Sequence, residues 1–225
     1  MTRKMLVFEI LLIAAAIAST AVIYPHLSAQ IPIHWNAHLQ PDGSMPRACT
    51  YLFGPGVMAV VALLTRLLPW ISPKDFQVEG FRSTYRPLMR AFFLIVICIY
   101  AATLWAGLGH PAFAGRAIAL AYCLGFIYFG NALGKVRRNF FIGVITPWTL
   151  TNERVWYTTH RFAGKVWLTA GFLGLILAAF GFNVSVAVVL LIGYYGPKLY
   201  SLVIYKQLEL RGEIECGLTR EQGEQ

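Results

Sequence analysis

Charged residues are scarce in this chain, where Asp, Glu, Lys and Arg together make up 13% of 225 residues. A soluble domain usually has about twice that share. Acidic residues are scarcer than basic ones, 10 against 19, so the formal net charge is +9. Hydrophobic residues make up 57% of the chain and stand in long blocks, with the basic residues between them. This arrangement excludes an ordinary soluble core, argues against direct nucleic-acid binding, and predicts an integral membrane protein.

Cysteines and catalytic signatures are equally sparse. The cysteines form no CxxC pair, which argues against a structural zinc site; they are Cys49, Cys98, Cys123 and Cys216. Only Cys49 is predicted to lie on the outer face, so no disulfide between outer-face cysteines is expected. The chain has neither a GxSxG nor an HExxH motif, the signatures of common hydrolases. We therefore expect no enzymatic activity and no cofactor.

Six apolar segments have the length of a membrane span. A helix needs about 20 apolar residues to cross the roughly 30 Å hydrocarbon core of a bilayer. The chain is therefore predicted to be all-α, with six transmembrane helices at residues 5–24, 51–71, 88–108, 116–133, 166–182 and 184–205. Gly181-Phe182-Asn183 separates the last two, where a tight helical hairpin is predicted. The first segment exceeds the length of a signal-peptide core, so it is predicted to remain uncleaved.

Basic residues are distributed unequally between the two sides of the predicted bundle. Of the 19, 16 lie on the side of the N-terminus, Arg47 and Arg116 lie on the other side, and Arg66 lies within the second span near its N-terminal-side end. Because cytoplasmic loops carry an excess of Lys and Arg, both termini are predicted to lie in the cytoplasm. The predicted regions are a three-span region 1–110 with outer loop 25–50, a three-span region 111–210 with inner motif loop 131–165, and a flexible cytoplasmic tail 211–225.

The outer loop is long and rich in polar and aromatic residues. Pro25 and Pro32 exclude a long helix there, and Pro41-Asp42-Gly43 is a turn signal. Its candidate site residues are His34, Trp35, Asn36, Pro41 and Asp42. Two interpretations remain open, a polar cap over the helix ends or a site for zinc or a similar ion. The metal ligands would be His26, His34, His38 and Asp42.

The inner loop holds more Trp, Asn, Thr, Pro and His than membrane orientation requires. Its candidate site residues are Asn131, Lys135, Arg137, Arg138, Asn139, Gly143, Thr146, Pro147, Trp148, Thr149, Trp156, Thr159, His160 and Arg161. Thr151 is predicted to be an N-cap, with Glu153 in the first turn. An amphipathic helix should follow on the inner membrane surface, leading into span five, because Val155, Thr159, Phe162 and Val166 recur at helical spacing. The alternative is a basic loop that contacts only anionic lipid headgroups.

One carboxylate, Glu9, lies about one turn inside the first span. Carboxylates within membrane spans are costly and often functional. We expect Glu9 to reach interfacial water or to pair with a basic residue such as Arg66 or Lys198. A role in transport or proton transfer is the functional alternative.

The two loops resemble known sequence families. Tyr24-Pro25, His34-Trp35-Asn36 and Pro41-Asp42-Gly43 resemble the outer-loop motif of the domain of unknown function 1648. The inner loop resembles the signature of the SdpI family, whose members include immunity proteins against a secreted killing peptide, the sporulation-delaying toxin. The matching residues of the inner loop are Asn131, Lys135-Val136-Arg137-Arg138-Asn139, Phe141-Ile142-Gly143, Thr146-Pro147-Trp148-Thr149-Leu150, Val155-Trp156 and Thr159-His160-Arg161.

The chain also departs from the family pattern at several positions. Val144-Ile145 stands where the family usually has Ile-Arg, and Leu39 and Arg47 stand where it generally has Gly and Lys. Gly134 stands where Pro is common. The lost arginine weakens any recognition of a partner or phosphate that depends on that charge.

The resemblance implies an immunity or sensor protein of the bacterial plasma (inner) membrane, in contact with membrane lipids. The outer loop would meet a secreted membrane-active peptide toxin, and the inner loop would transmit this state or hold a cytoplasmic regulator. The alternatives are a small membrane transporter, a metal-dependent membrane enzyme that uses the outer-loop His and Asp residues, or an assembly subunit.

Overall fold

The computed structural model describes residues 3–214, so residues 1–2, Cys216 and most of the predicted tail 211–225 lie outside the described residues. Within residues 3–214, six helices are long and apolar enough to cross a membrane. The second of them includes the irregular helical turns that begin at Arg47. This confirms the predicted all-α fold class and its six spans. The α-helices are α1 (Arg3–Ile23), α2 (Val57–Ile71), α3 (Arg82–Gly107), α4 (Pro111–Leu133), α5 (Pro147–Thr151), α6 (Glu153–Ala179) and α7 (Asn183–Leu210).

Several helices extend beyond the predicted ends of the spans. Helix α4 begins at Pro111, because proline has the φ angle of a first helical turn and needs no hydrogen bond there. Helix α6 begins at Glu153, so the predicted surface helix and span five form one continuous helix. Gly181 has a φ of +78° and lies between α6 and α7, which confirms the predicted tight connection.

Helix α4 is the centre of the packing, since it lies against both α3 and α6, while α6 also packs on α7. The contact of α4 with α6 requires a residue without a side chain at Gly130. A Cβ atom there would lie 2.8 Å from the backbone nitrogen of Leu168. Small residues allow such close approach of helix backbones in membranes. The chain between α4 and α6 is therefore held at one end of a tightly packed helix pair.

The outer loop forms a two-stranded antiparallel hairpin of β1 (Gln30–Trp35) and β2 (Pro41–Pro46). Ile31 and Met45 are opposite each other and buried against Tyr100 and Leu104 of α3. The hairpin therefore packs on the end of the bundle opposite to the one where α1 begins. We call this the hairpin end and the opposite one the basic end.

The predicted turn at Pro41-Asp42-Gly43 is wrong, because these residues belong to β2. The chain reverses earlier, where the Asn36 side-chain oxygen accepts hydrogen bonds from the backbone nitrogens of His38 (2.9 Å) and Gln40 (3.1 Å). Gly43 instead allows close approach of the strands, since a Cβ atom there would lie 3.0 Å from the Cβ of His34.

Leu39 has a φ of +59°, and it is the one non-glycine residue with positive φ among residues 3–214. It lies in the hairpin turn, between β1 and β2. Because this conformation costs a side-chain-bearing residue about 1 kcal/mol, we expect Leu39→Gly to raise the melting temperature of the purified protein. Ala37→Gly in the same turn is the control and should lower it, since Ala37 has no such strain to relieve. A lower melting temperature for Leu39→Gly would contradict this account.

The predicted N-cap of α6 at Thr151 is also wrong. The cap is Asn152, whose side-chain oxygen accepts hydrogen bonds from the backbone nitrogens of Arg154 and Val155. The Thr151 hydroxyl instead donates to the carbonyl of Trp148, 3.2 Å away. Asparagine is a stronger N-cap residue than threonine, and Thr151 is the last residue of α5.

Candidate functional site

A stacked Trp156–His160 pair lies at the centre of the inner motif. Both side chains are fully buried on α6, with ring centroids 3.9 Å apart. The Trp156 Nε1–H donates to the carbonyl of Val136 (2.8 Å), and His160 Nε2 accepts from the backbone N–H of Val144 (3.0 Å). Because Nε2 accepts, the ring is neutral and its Nδ1–H donates to the Trp156 carbonyl (2.8 Å). The pair thus fixes the segment 136–144 against α6.

Gly143 allows the contact between this segment and His160. Its φ is +124°, and a Cβ atom there would lie 2.2 Å from His160 Nε2. Any side chain would therefore collide with the histidine and would also be strained in its backbone conformation. Gly143 is required for the hydrogen bond that Val144 donates.

Asn139 determines the conformation of the segment from within. Its side-chain nitrogen donates to the carbonyls of Arg137 (2.8 Å) and Ile142 (3.0 Å). Its side-chain oxygen accepts from the backbone nitrogens of Phe141 and Ile142, each at 2.8 Å. The buried amide thus satisfies four hydrogen bonds that a shorter or apolar side chain would leave unmade.

Thr146 and Thr149 connect the inner motif to α7. Each accepts a hydrogen bond from the backbone nitrogen of the other, which forms the capping box of α5. The Thr146 hydroxyl is also 3.0 Å from the hydroxyl of Ser201 on α7. Both threonines and Ser201 are buried. Short helix α5 is therefore attached to the last transmembrane helix.

Arg138 connects the motif to the chain between α2 and α3. Its Nη1 donates to the Leu150 carbonyl (2.9 Å), and its guanidinium carbon lies 4.9 Å from the centre of the Phe76 ring. Nearby, Val136 and Trp156 pack with Phe81 and other apolar residues of this connection and of α3. The motif therefore contacts three helices, α3, α6 and α7, and also the connection between α2 and α3.

Apart from the half-buried Arg138 and Gly143, the structure divides the predicted inner residues into two groups. Asn139, Thr146, Thr149, Trp156, Thr159 and His160 are buried. The surface group consists of Asn131, Lys135, Arg137, Pro147 and Arg161, together with the half-buried Trp148. The partners Val136, Val144, Phe76 and Ser201 were not predicted as site residues, because their roles depend on tertiary contacts that no local pattern indicates.

The outer-motif residues are held by the hairpin. Trp35 Nε1 donates to the Pro111 carbonyl (3.0 Å), and the ring packs on alanines of α3 and α4. His34 Nδ1 and Asp42 Oδ1 contact each other on the exposed side of the hairpin. His26 lies in the turn after α1 and His38 in the hairpin turn. The structure therefore does not bring the four proposed metal ligands together, and residues 3–214 hold no group of three His, Cys, Asp or Glu side chains suited to a metal.

A groove of about 590 Å³ runs from the hairpin along α4 and α7. His34 and Asn36 lie at its polar rim. Its wall is formed mainly by apolar and aromatic side chains, among them Ile118, Tyr122, Phe126, Leu190 and Tyr194. A groove of this kind suits a ligand with one apolar face and a few polar groups.

Glu9 and Arg66 form an ion pair between α1 and α2. This is one of the two pairings predicted for Glu9. The carboxylate is buried, with 3% of the side chain exposed, whereas 25% of the Arg66 side chain is exposed. Arg66 also donates to the Ala62 carbonyl of its own helix. Because a buried carboxylate requires compensation of its charge, this pair explains how Glu9 is tolerated within a membrane span.

Comparison with known proteins identifies two regions of the chain. The sequence model of the SdpI/YfhL protein family matches residues 135–201, and that of the domain of unknown function DUF1648 matches residues 10–59. The chain is also similar to "Immunity protein SdpI" of Bacillus subtilis (strain 168). The two are 27% identical over 174 residues, which cover 77% of this chain and 81% of the relative. No solved structure gave a significant match.

Proposed function

We propose that this multi-pass bacterial membrane protein, which carries an SdpI-family region and a DUF1648 region, gives immunity to a secreted membrane-active peptide without catalysing a reaction. The observation that carries the proposal is the location of the two matched regions. Residues 10–59 contain the whole hairpin, and residues 135–201 contain the inner motif from Lys135 to α7. The two matched regions thus include the hairpin and most of the inner motif, which lie at opposite ends of the bundle.

The hairpin end is the proposed site of contact with the peptide. A membrane-active peptide presents an apolar face to lipid and polar groups to water. The groove offers an apolar wall along α4 and α7 below a rim that includes His34 and Asn36. Asp42 contacts His34 and would add an acceptor beside this rim. A bound peptide would therefore be kept from the lipid it would otherwise disturb.

The surface group of the inner motif is the proposed site for a cytoplasmic regulator. The buried group, Trp156 and His160 above all, would hold the loop in a fixed shape. Arg137, Arg161 and the half-buried Trp148 would then present charge and an aromatic surface to a partner. Helix α4 joins the two ends, since Trp35 bonds to its first residue and the inner loop begins at its last turn. A change at the hairpin could reach the inner loop through this helix.

Trp148→Ala tests the inner half of the proposal. In a sensitive bacterial host challenged with a membrane-active peptide, the unchanged protein should allow survival. Cells with Trp148→Ala at the same protein level should survive no better than cells with an empty vector. Trp148 is half-buried and lies outside the buried group, so the fold should tolerate the change.

Tyr157→Ala is the matched control, because Tyr157 is an exposed aromatic residue at the same end of the bundle and outside the motif. It should protect as well as the unchanged protein. Full protection by Trp148→Ala would refute a role for the inner motif, and equal loss in both variants would show that only general stability had changed.

A further inference from the structure

A cavity lined by arginines lies at the basic end, where α1 begins, α2 ends and α3 begins. Its volume is about 320 Å³. Four arginines from three helices share it, namely Arg3, Arg66, Arg82 and Arg86. Its lining residues belong neither to the inner motif nor to the groove, and neither proposed role uses it.

The cavity has more positive charge than the neighbouring carboxylates neutralise. Arg66 is paired with Glu9, and Arg82 lies 2.7 Å from Glu79 in an exposed pair. Within residues 3–214, neither Arg3 nor Arg86 pairs with a carboxylate. Two guanidinium charges therefore remain in a partly enclosed space with low-dielectric walls, where electric fields are focused on a ligand.

The neutral polar groups of the cavity are already engaged. The Tyr85 hydroxyl donates to the Thr65 carbonyl (2.9 Å), and the Thr65 hydroxyl donates to the Val61 carbonyl (2.7 Å). The donors that remain for a ligand are those of the guanidinium groups. Such planar groups bind the oxygens of phosphate in pairs, with charge-assisted hydrogen bonds.

We propose that this cavity binds a phosphate group, carried by an anionic lipid headgroup or by a soluble phosphate compound. Orientation by basic residues requires only that they lie in the loops. It does not explain why arginines from three helices line one cavity. A basic pocket between transmembrane helices at a membrane surface suits such headgroups.

The test is native mass spectrometry of the full chain, purified in a phosphate-free detergent. Phosphatidylglycerol, a glycolipid without phosphate, and inorganic phosphate are added in separate arms. We expect the phosphate-bearing lipid to be retained, and Arg86→Gln and Arg3→Gln each to weaken retention by at least about tenfold, because hydrogen bonds to charged groups are lost. Glu9→Gln should strengthen retention, since it removes the carboxylate that neutralises Arg66.

Arg90→Gln is the matched control, because Arg90 lies one turn after Arg86 on α3 but lines a different cavity. It should leave retention unchanged. Binding of inorganic phosphate with the same dependence on the variants, without retention of the lipid, would assign the site to a soluble phosphate compound. Equal loss in Arg90→Gln, equal retention of the phosphate-free glycolipid, or no binding in any arm would overturn the proposal. Melting temperatures of the variants would show whether a loss reflects unfolding.

Discussion

Gly143→Ala is expected to destabilise the protein by about 3 kcal/mol or more and to abolish protection against the peptide. The new Cβ atom would lie 2.2 Å from His160 Nε2, so the histidine or the segment must move. Movement breaks the hydrogen bond from the Val144 backbone nitrogen, which is buried. The φ of +124° adds strain for any residue with a side chain. Denaturant unfolding of the purified protein would give the change in the free energy of unfolding.

Gly134→Ala is the control for this prediction, because it changes a glycine of the same loop. Gly134 has a helical φ of −64°, and the nearest contact of an added Cβ would be Arg161 Cγ at 3.9 Å. This variant should unfold and protect like the unchanged protein. If Gly143→Ala had the same stability as Gly134→Ala, the close contact of the segment with His160 would be disproved.

The spans could be predicted from the sequence because each is a block of apolar residues with a clear break on either side. The last two spans are separated at Gly181, which has a positive φ, and the sequence indicates this break because the apolar stretch is too long for one crossing. The hairpin was harder to predict, since Pro32 and Pro41 lie within its strands. Prolines argue against central strands but are tolerated at the edges of a two-stranded sheet. The side chain of Asn36 closes the turn, whereas composition predicted the turn at Pro41-Asp42-Gly43.

The inner motif could be predicted as a set of residues but not as a structure. Its resemblance to a family identified both Trp156 and Arg161, and only the fold shows that the first is buried and the second exposed. Asn139 and Gly143 act on residues within a few positions, so local geometry explains them once the segment is folded. The contact of Thr146 with Ser201 spans 55 positions and depends on how α7 packs. No spacing rule indicates such a partner.

Arg66→Leu should be the more harmful of the two changes that break the pair between α1 and α2. It leaves the Glu9 carboxylate in a buried place without its partner, which costs about 3–5 kcal/mol. Glu9→Leu leaves Arg66, whose side chain is one-quarter exposed and lines a cavity that is only partly enclosed. The guanidinium can keep water there, so we expect a cost of about 1–2 kcal/mol, similar to one lost hydrogen bond. Denaturant unfolding in phosphate-free detergent gives the change in the free energy of unfolding for both variants.

The double variant Glu9→Leu/Arg66→Leu separates the interaction from the two substitutions. It removes both charges, so no buried carboxylate is left unpaired, and its cost should be well below that of Arg66→Leu alone. Glu9→Leu thus compensates for Arg66→Leu, because the penalty of Arg66→Leu is the unpaired charge of Glu9. Costs that simply add would show that the two side chains contribute independently. A larger cost for Glu9→Leu than for Arg66→Leu would show that the arginine is the more poorly hydrated partner, and the difference in exposure would then not decide the energetics.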